Sequence, residues 1–341
     1  MKVLITGVTG QDGSILASNL LAQKFDVSGG FRRGAQNSWR MRELGLTHQV
    51  NFVNYDATDT STIDFLISQN RYDCIYHFAG SSFTLDSLNF PQNTLLTNIN
   101  GTVSLLEAVK KFSPETQVFI AGSSEIFDKV GLQSNQKVSE NSRVAPSNPY
   151  GVSHLAIASL ANIYRNEHGL TIVLGVFFNH ESKFRSLQFV TRKITHGVAE
   201  VKLKNTGPLV LGNFSAKRDW GCAFEFMDGA QRLIESRANG NFVFATGTSS
   251  TVRDILSVAC LTAEITPEFK VENGLEVCID QGSGKIIASS DSRFFRKSDE
   301  TPFTGDSSLL FKTIGWRPTR SLSSIISEMT LEDLKRVSRE S

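Results

Sequence analysis

At 341 residues, 40% hydrophobic and 20% charged, the chain is long enough for one large domain or two coupled ones and has the make-up of a globular protein. A net charge of +1 provides no global basic field for nucleic acid or an anionic membrane surface. No window approaches the roughly 18 apolar residues of a membrane span, and the chain starts on a strand rather than a secretory leader, so a cytoplasmic location is expected. Cys74, Cys222, Cys260 and Cys278 lack C-x-x-C spacing and read as reduced packing residues. The six histidines form no ligand-like cluster, so no metal is expected.

Val3-Leu4-Ile5-Thr6 is a short apolar run, a buried parallel strand by pattern. Gly7-Val8-Thr9-Gly10-Gln11-Asp12-Gly13 follows, and 14–21 carries helical periodicity. Glycines at that spacing between a strand and a helix let the backbone approach a pyrophosphate at the helix N-terminus. Gly7, Thr9, Gly10, Gln11, Asp12 and Gly13 are therefore candidate cofactor residues.

A second strand is expected over 26–31. Its end normally carries an acid for the ribose 2′-hydroxyl of NAD, whereas arginines suit a 2′-phosphate. Arg32 and Arg33 stand there, which favours NADP; the alternative is that both face solvent. The third strand, 50–56, ends at Asp56, placed either for an adenine contact or for capping a turn. A short helix over 62–68 leads to strand four, 74–80, which closes on a small-residue turn ending at Ser82, beside the cofactor. His77, inside that strand, reads as a core or hydrogen-bonded histidine.

Asn98 opens a helix through Val109, and 118–122 is strand five. Ser123, Ser124 and Glu125 lie at its carboxyl end, where catalytic groups gather in an open parallel α/β sheet. Ser147-Asn148-Pro149 is a helix-start signal, and the helix should run over 150–168, with Tyr150 and His154 four apart on one face. Strand six is 171–178. Beyond it the pattern changes to loop, helix and glycine-punctuated polar segments, read as substrate-binding insertions. A strand over 241–246 returns to the sheet, followed by helices over 252–262 and 322–337. The expected fold class is α/β, a Rossmann-type doubly wound parallel sheet over 1–178, with 241–263 returning to it. The remainder of 179–341 forms a smaller, interleaved substrate domain.

The chain resembles the extended short-chain dehydrogenase/reductase family, and more closely its GDP-mannose 4,6-dehydratases. The resemblance is carried by Ile5 through Ser14, by Arg32-Arg33, by Ser124-Glu125 and by Pro149-Tyr150-Gly151. It continues in Phe178-Asn179-His180-Glu181-Ser182, Phe189-Val190-Thr191-Arg192-Lys193-Ile194, Leu211-Gly212-Asn213 and Ala216-Lys217-Arg218-Asp219-Trp220-Gly221. It implies an NADP-dependent cycle on a GDP-linked hexose: C4 oxidation, C5 deprotonation, loss of water from C6 and hydride return. Tyr150 would be the C4 base, Glu125 the C5 acid/base, and Ser123 and Ser124 partners of the reacting oxygens. Arg218 and Arg253 would meet the diphosphate. Asn179 and Arg192 would meet the substrate, with Ser82, Glu181, Lys193 and Arg296 placed beside them. Asp299 falls where a family glutamate meets guanine. A homodimer or homotetramer is also implied, with no nucleic-acid or membrane partner.

A simple 4-epimerase needs no C5 base, so Glu125 argues for dehydration over epimerisation. The alternatives are a same-fold oxidoreductase or epimerase, and a weakly active cofactor-binding paralogue. The pattern Tyr-x-x-x-Lys ends here in His154. That lysine bonds the nicotinamide ribose and lowers the tyrosine pKa. A free phenol ionises near pH 10 and must fall roughly three units, about 4 kcal/mol, to act near neutrality. A neutral imidazole can still bond the ribose but helps less, so a slow enzyme or a shifted pH optimum is expected. The lysine-phenylalanine pair Lys183-Phe184 and Phe127 also depart from the family pattern near the substrate.

Overall fold

Short apolar runs closed by turn residues make strands, and longer amphipathic runs make helices, so the first half of the chain alternates between them. The computed structural model describes residues 1–32, 38–129, 136–272, 274–295 and 303–340. In order come β1 (Lys2–Thr6), α1 (Gln11–Ala22), β2 (Asp26–Phe31), α2 (Trp39–Glu43), β3 (Asn51–Asn54), α3 (Thr60–Gln69) and β4 (Cys74–His77). Then follow α4 (Thr84–Asn89), α5 (Pro91–Leu95), a π-helical turn at Leu96–Asn100, α6 (Gly101–Phe112), β5 (Gln117–Ser123), a 3-10 turn at Ser124–Ile126 and β6 (Lys137–Val138). Next come α7 (Pro149–His168), β7 (Ile172–Phe177), β8 (Asn179–Glu181), α8 (Val190–Leu203), β9 (Leu209–Leu211), β10 (Lys217–Arg218), β11 (Trp220–Cys222) and α9 (Ala223–Glu235). The chain continues with β12 (Gly240–Phe244), β13 (Ser250–Thr251), α10 (Val252–Thr262), β14 (Pro267–Glu272), β15 (Leu275–Asp280) and β16 (Ile286–Ser290). It closes with β17 (Thr304–Gly305), α11 (Ser308–Ile314) and α12 (Leu322–Arg339).

Seven strands form the central sheet in the order β12-β7-β5-β4-β1-β2-β3, every neighbouring pair parallel. This is the Rossmann-type sheet expected from the strand-helix alternation. Successive strand residues feed opposite faces. Val118 and Ile120 join a core with Leu105 and Ile157, while Phe119 between them joins one with Ile15, Phe226 and Trp316. The strand order reverses between β1 and β4, which leaves a crevice at their carboxyl ends. At the mouth of β1, Gly7 has φ +71°, and a Cβ there would lie 2.8 Å from the Ala79 backbone nitrogen. A Cβ on Gly13 would lie 2.5 Å from the Gly7 carbonyl oxygen, so the turn and the start of α1 pack backbone on backbone.

Several segments differ from the sequence expectation. The helix expected to open at Asn98 is interrupted by the π turn, and α6 begins at Gly101. Residues 179–182, read as loop, contain β8, which pairs in parallel with β11. β14, β15 and β16 form an antiparallel meander that continues onto β9. The Asn273-Gly274 dipeptide between alternating runs is a hairpin signal for it.

The interleaving also runs deeper than the expected boundaries. β12 joins the sheet beside β7, but α10 buries Ile255, Leu256 and Cys260 in a third core, with Ile194 of α8 and Met329 of α12. Conversely α9, for which the sequence reading had no element, packs Phe226, Met227 and Leu233 onto the sheet. All four cysteines are buried and free. No helix among the described residues is long and apolar enough to cross a membrane, and no metal-holding cluster occurs among them.

Candidate active site

The crevice holds a pocket between the carboxyl ends of β4 and β5, the first turns of α7 and the segment after β7. Its walls include Ser82, Ser123, Ser124, Glu125, Tyr150, His154 and Asn179. The strand-end position of the first group and the helix-start position of Tyr150 bring together residues 25 apart in sequence.

Asn148 makes that meeting rigid. Its side-chain oxygen accepts from the Gly151 N–H at 2.8 Å and caps α7, and Pro149 fills the first helical position. The same side chain donates through Nδ2 to Glu125 Oε2 at 2.9 Å. A Cβ on Gly151 would lie 2.5 Å from the Glu125 carbonyl oxygen, so the helix start rests directly on the Glu125 backbone.

Glu125 is also ion-paired to Lys129, Nζ to Oε1 at 2.5 Å. Burial pushes its carboxyl up, but Lys129, Asn148 and the charge of Arg218 outweigh burial and hold it below the ordinary carboxylate value. Tyr150 is placed oppositely. Burial pushes its phenol up to about 12; the Ser123 hydroxyl lowers it, Glu125 raises it, Arg185 lowers it and Asp12 raises it. Its ring lies 4.4 Å from that of His154, edge to face. Burial pulls His154 down to about 4, with Glu125 raising it and His77 lowering it. The imidazole is therefore neutral near pH 7, and its Nδ1 is buried without a hydrogen-bond partner. His77 behind it is likewise pulled down to about 4 by burial and bonds Thr6 Oγ1 at 2.8 Å and Thr102 Oγ1 at 3.3 Å.

The opposite wall is built by residues that sequence reasoning did not assign to a site. His180 has Nδ1 at 2.8 Å from the Phe178 carbonyl and Nε2 at 3.1 Å from both Asp12 carboxylate oxygens. Burial raises the Asp12 carboxyl, but His180, Gln11 and the charge of Arg185 together outweigh it and hold the group below its ordinary value. Arg185 and Phe189 complete this side, and Asn98 lies in the pocket floor, bonded to the Ser81 N–H at 2.7 Å. His180 and Arg185 belong to a stretch that the resemblance singles out, but nothing local in the sequence assigns them a wall.

A nicotinamide dinucleotide suits these residues on two observations. The glycine turn offers backbone where any Cβ would clash, and the orphaned His154 Nδ1 suits a ribose hydroxyl. Gln11 is less open than expected: it is buried, its Nε2 donates to the His180 carbonyl, and its Oε1 accepts from Ser182 Oγ. Thr9 gives its carbonyl to Arg40 Nη1 at 3.4 Å, while Gly10 is exposed. Arg32 is exposed beside Asp56. Asp56 caps a turn, accepting from Thr58 N at 2.9 Å and Thr58 Oγ1 at 2.7 Å. Arg33, Arg296 and Asp299 lie outside the described residues.

Other expected substrate residues are committed elsewhere. Arg192 does not line the pocket. It is buried and grips Asp333 with Nε at 2.8 Å and Nη2 at 2.7 Å, and Nη1 donates to the Lys183 and Arg185 carbonyls. Asp333 is fully buried where α8 meets α12, and the Arg192 guanidinium is a charged partner for it there. Glu181, also buried, accepts from Thr191 Oγ1 at 2.5 Å and lies outside the pocket walls. Lys193 Nζ donates to the Val210 carbonyl at 2.7 Å. Arg253 pairs with Glu276 and lies over the Phe269 ring. Arg218 is half-buried on β10 and bonds the Lys217 carbonyl.

A family profile described as GDP-mannose 4,6 dehydratase matches residues 4–329. The GDP-mannose 4,6-dehydratase of Sinorhizobium fredii (strain HH103) is 33% identical over 339 residues, covering 97% of this chain and 96% of its own. GDP-mannose 4,6-dehydratase sdnI of Sordaria araneosa is 33% identical over 342 residues; the match covers 98% of this chain and 61% of that longer one. Among solved structures, RMD from Pseudomonas aeruginosa, complexed with NADPH, superposes with a TM-score of 0.76. It is 18% identical and covers 98% of this chain and 99% of that one, a likeness of fold.

Proposed function

Because the chain belongs to the GDP-mannose 4,6-dehydratase family of nucleotide-sugar dehydratases, we propose that it dehydrates GDP-mannose or a related GDP-sugar with NADP as cofactor. The observation that carries this reading is the pairing, in one pocket, of an ionised carboxylate and a protonated phenol. Glu125 and Tyr150 stand against each other through the α7 start, and their proton affinities are driven in opposite directions.

A bound nicotinamide would supply the site that accepts a hydride from the sugar and later returns it. Gly7, Gly10 and Gly13 would admit the diphosphate, His154 Nδ1 would take a ribose hydroxyl, and Arg32 would face the 2′-phosphate. Tyr150, assisted by Ser123, removes the proton of the C4 hydroxyl and gives it to C5 as the hydride returns to C6, which leaves C4 a ketone. Glu125 takes the proton from C5 and delivers it to the C6 hydroxyl, which leaves as water. Asn179, Ser82 and Ser124 orient the sugar from the walls. Arg218 and Arg253 are assigned to the diphosphate, which requires Arg253 to exchange its pairing with Glu276. No net proton is consumed, and the sugar loses one water.

A phenol at about 12 in the free protein needs roughly 7 kcal/mol to ionise at neutral pH, at about 1.36 kcal/mol per unit. Slow turnover at neutrality that rises with alkaline pH is the expected behaviour. The test is mass spectrometry of the products from GDP-mannose and a GDP-heptose with added NADP. A product lighter by one water supports dehydration. A product of unchanged mass, or one changed by two hydrogens, overturns it in favour of epimerisation or simple oxidation.

A further inference from the structure

The pocket is narrow for what it has to hold. It encloses about 170 Å³, below the roughly 300 Å³ at which small-molecule sites begin, and a hexose and a nicotinamide would have to share it. The glycine turn, by contrast, reaches solvent at Gly10, so a dinucleotide has a path of its own. Elsewhere two phenylalanines meet across the pocket. Phe189 lines one wall; Ser82 and Thr84 line the other, with Phe83 between them. The Phe83 and Phe189 rings touch edge to face, with centroids 5.5 Å apart and planes at 79°. Both residues are half-buried, so the pair stands between the pocket and solvent.

The two rings belong to different layers of the molecule. Phe83 precedes α4, which packs on α5 and α7 beside the sheet, whereas Phe189 precedes α8, which packs on α10 and α12. They are held unequally. The Arg185 guanidinium carbon lies 3.6 Å over the Phe189 ring, and Arg185 is itself ion-paired with the buried Glu181 at 3.2 Å. The Phe189 N–H also donates to the Ser186 carbonyl. Phe83 starts a helix of six residues that has no side-chain cap and buries Ser87 but no apolar residue. A short, uncapped segment with little buried apolar surface opens locally at low cost. Phe189 is therefore the fixed post and Phe83 the moving leaf.

We propose that Phe83 and Phe189 form an aromatic gate on the sugar's path to the nicotinamide, closed in this structure and opened by displacement of Phe83. The inference rests on the reading that sugar and nicotinamide meet beside Tyr150, but not on which sugar enters or what it loses. The dinucleotide, entering along the glycine turn, does not pass the gate. Once the sugar is inside, closure keeps bulk water away from the oxidised ring between the two hydride transfers. One edge-to-face pair favours the closed state by roughly a factor of ten, enough to shelter the site and little enough to let substrate in.

The test locks the gate reversibly. Phe83→Cys and Phe189→Cys are combined and bridged by a short bis-maleimide that carries a cleavable disulfide. The native cysteines are buried, and wild type treated with the same reagent is the control. Each protein is loaded with NADPH and titrated with acrylamide, which quenches nicotinamide fluorescence on contact. The bridged protein should bind NADPH within about twofold of wild type, while its quenching should be about tenfold weaker than that of Phe83→Ala. Cleaving the bridge with dithiothreitol should restore quenching in the same sample, which separates gating from misfolding. Turnover of GDP-mannose should be lost on bridging and return on cleavage. Quenching that bridging leaves unchanged overturns the proposal. So does loss of NADPH binding on bridging, because the pair would then close the whole crevice rather than the sugar's path. The quenching measurement needs no sugar, so the gate stands or falls separately from dehydration.

Discussion

The two proton-handling ends of the pocket are equally sheltered by the fold but chemically opposite. Burial governs Tyr150, and its hydroxyl-bearing neighbour Ser123 is too weak to reverse the rise. Burial also acts on Glu125, yet Lys129 and Asn148 overcome it and leave the carboxylate ionised. What separates them is the partners within reach. Desolvation raises both acids, and only one of them has been given a dedicated cation and amide. A single pocket thereby keeps one group ionised and the other protonated over the same pH range.

Three measurements would break or sharpen that contrast. Replacing the carboxylate, Glu125→Gln, keeps the Asn148 contact but removes the base, and kcat for water loss should fall about 1,000-fold. Retained dehydration would place the base elsewhere and remove one end of the comparison. The second measurement concerns the neutral side. His154 and His77 bind protons less readily when folded than unfolded, with folded values of about 4. Between that value and the ordinary 6.5 the unfolded chain holds more protons, so stability rises with pH and is lost on acidification through this window. Each histidine should remove about 2 kcal/mol between pH 7 and pH 5. Urea unfolding of His154→Gln at both pH values should show an acid loss smaller by about that amount; an unchanged loss would mean that His154 is charged in the fold. The third and smallest effect is on the charged side. Lys129→Met removes the main partner holding Glu125 down, so its carboxyl should rise by about one unit. The acid limb of the kcat profile should move up with it, while the rate above pH 8 stays near wild type. A fixed acid limb would make Asn148 the controlling partner.

The residues that could be placed from sequence are those whose structural reason is local. The glycine turn after β1 and the Ser147-Asn148-Pro149 start of α7 are each dictated by a few neighbouring backbone dihedrals and caps, and Tyr150 and His154 followed from helical spacing. Arg192 could not be placed that way. Its partner Asp333 lies 141 positions away, and nothing near either residue reveals that both are buried. Lys129 is four residues from Glu125, but it sits beyond a 3-10 turn rather than on a helix, so helical spacing says nothing of their contact. His180 owes its wall position to the parallel pairing of β8 with β11, a three-residue ladder too short to leave a periodic trace, and Arg185 follows beyond its end. The β14–β15 hairpin and α9 are different: the Asn273-Gly274 turn signal and the spacing of Phe226, Met227, Ala230 and Leu233 were present to be read.

The amide of Asn148 works as a gauge block. One of its ends fixes where α7 begins, and the other touches the carboxylate of Glu125. The gap between phenol and carboxylate is therefore cut to the width of a single side chain and does not depend on how long the intervening loop is. One residue added between Asn148 and Tyr150 would turn the phenol about 100° around the helix and away from the pocket.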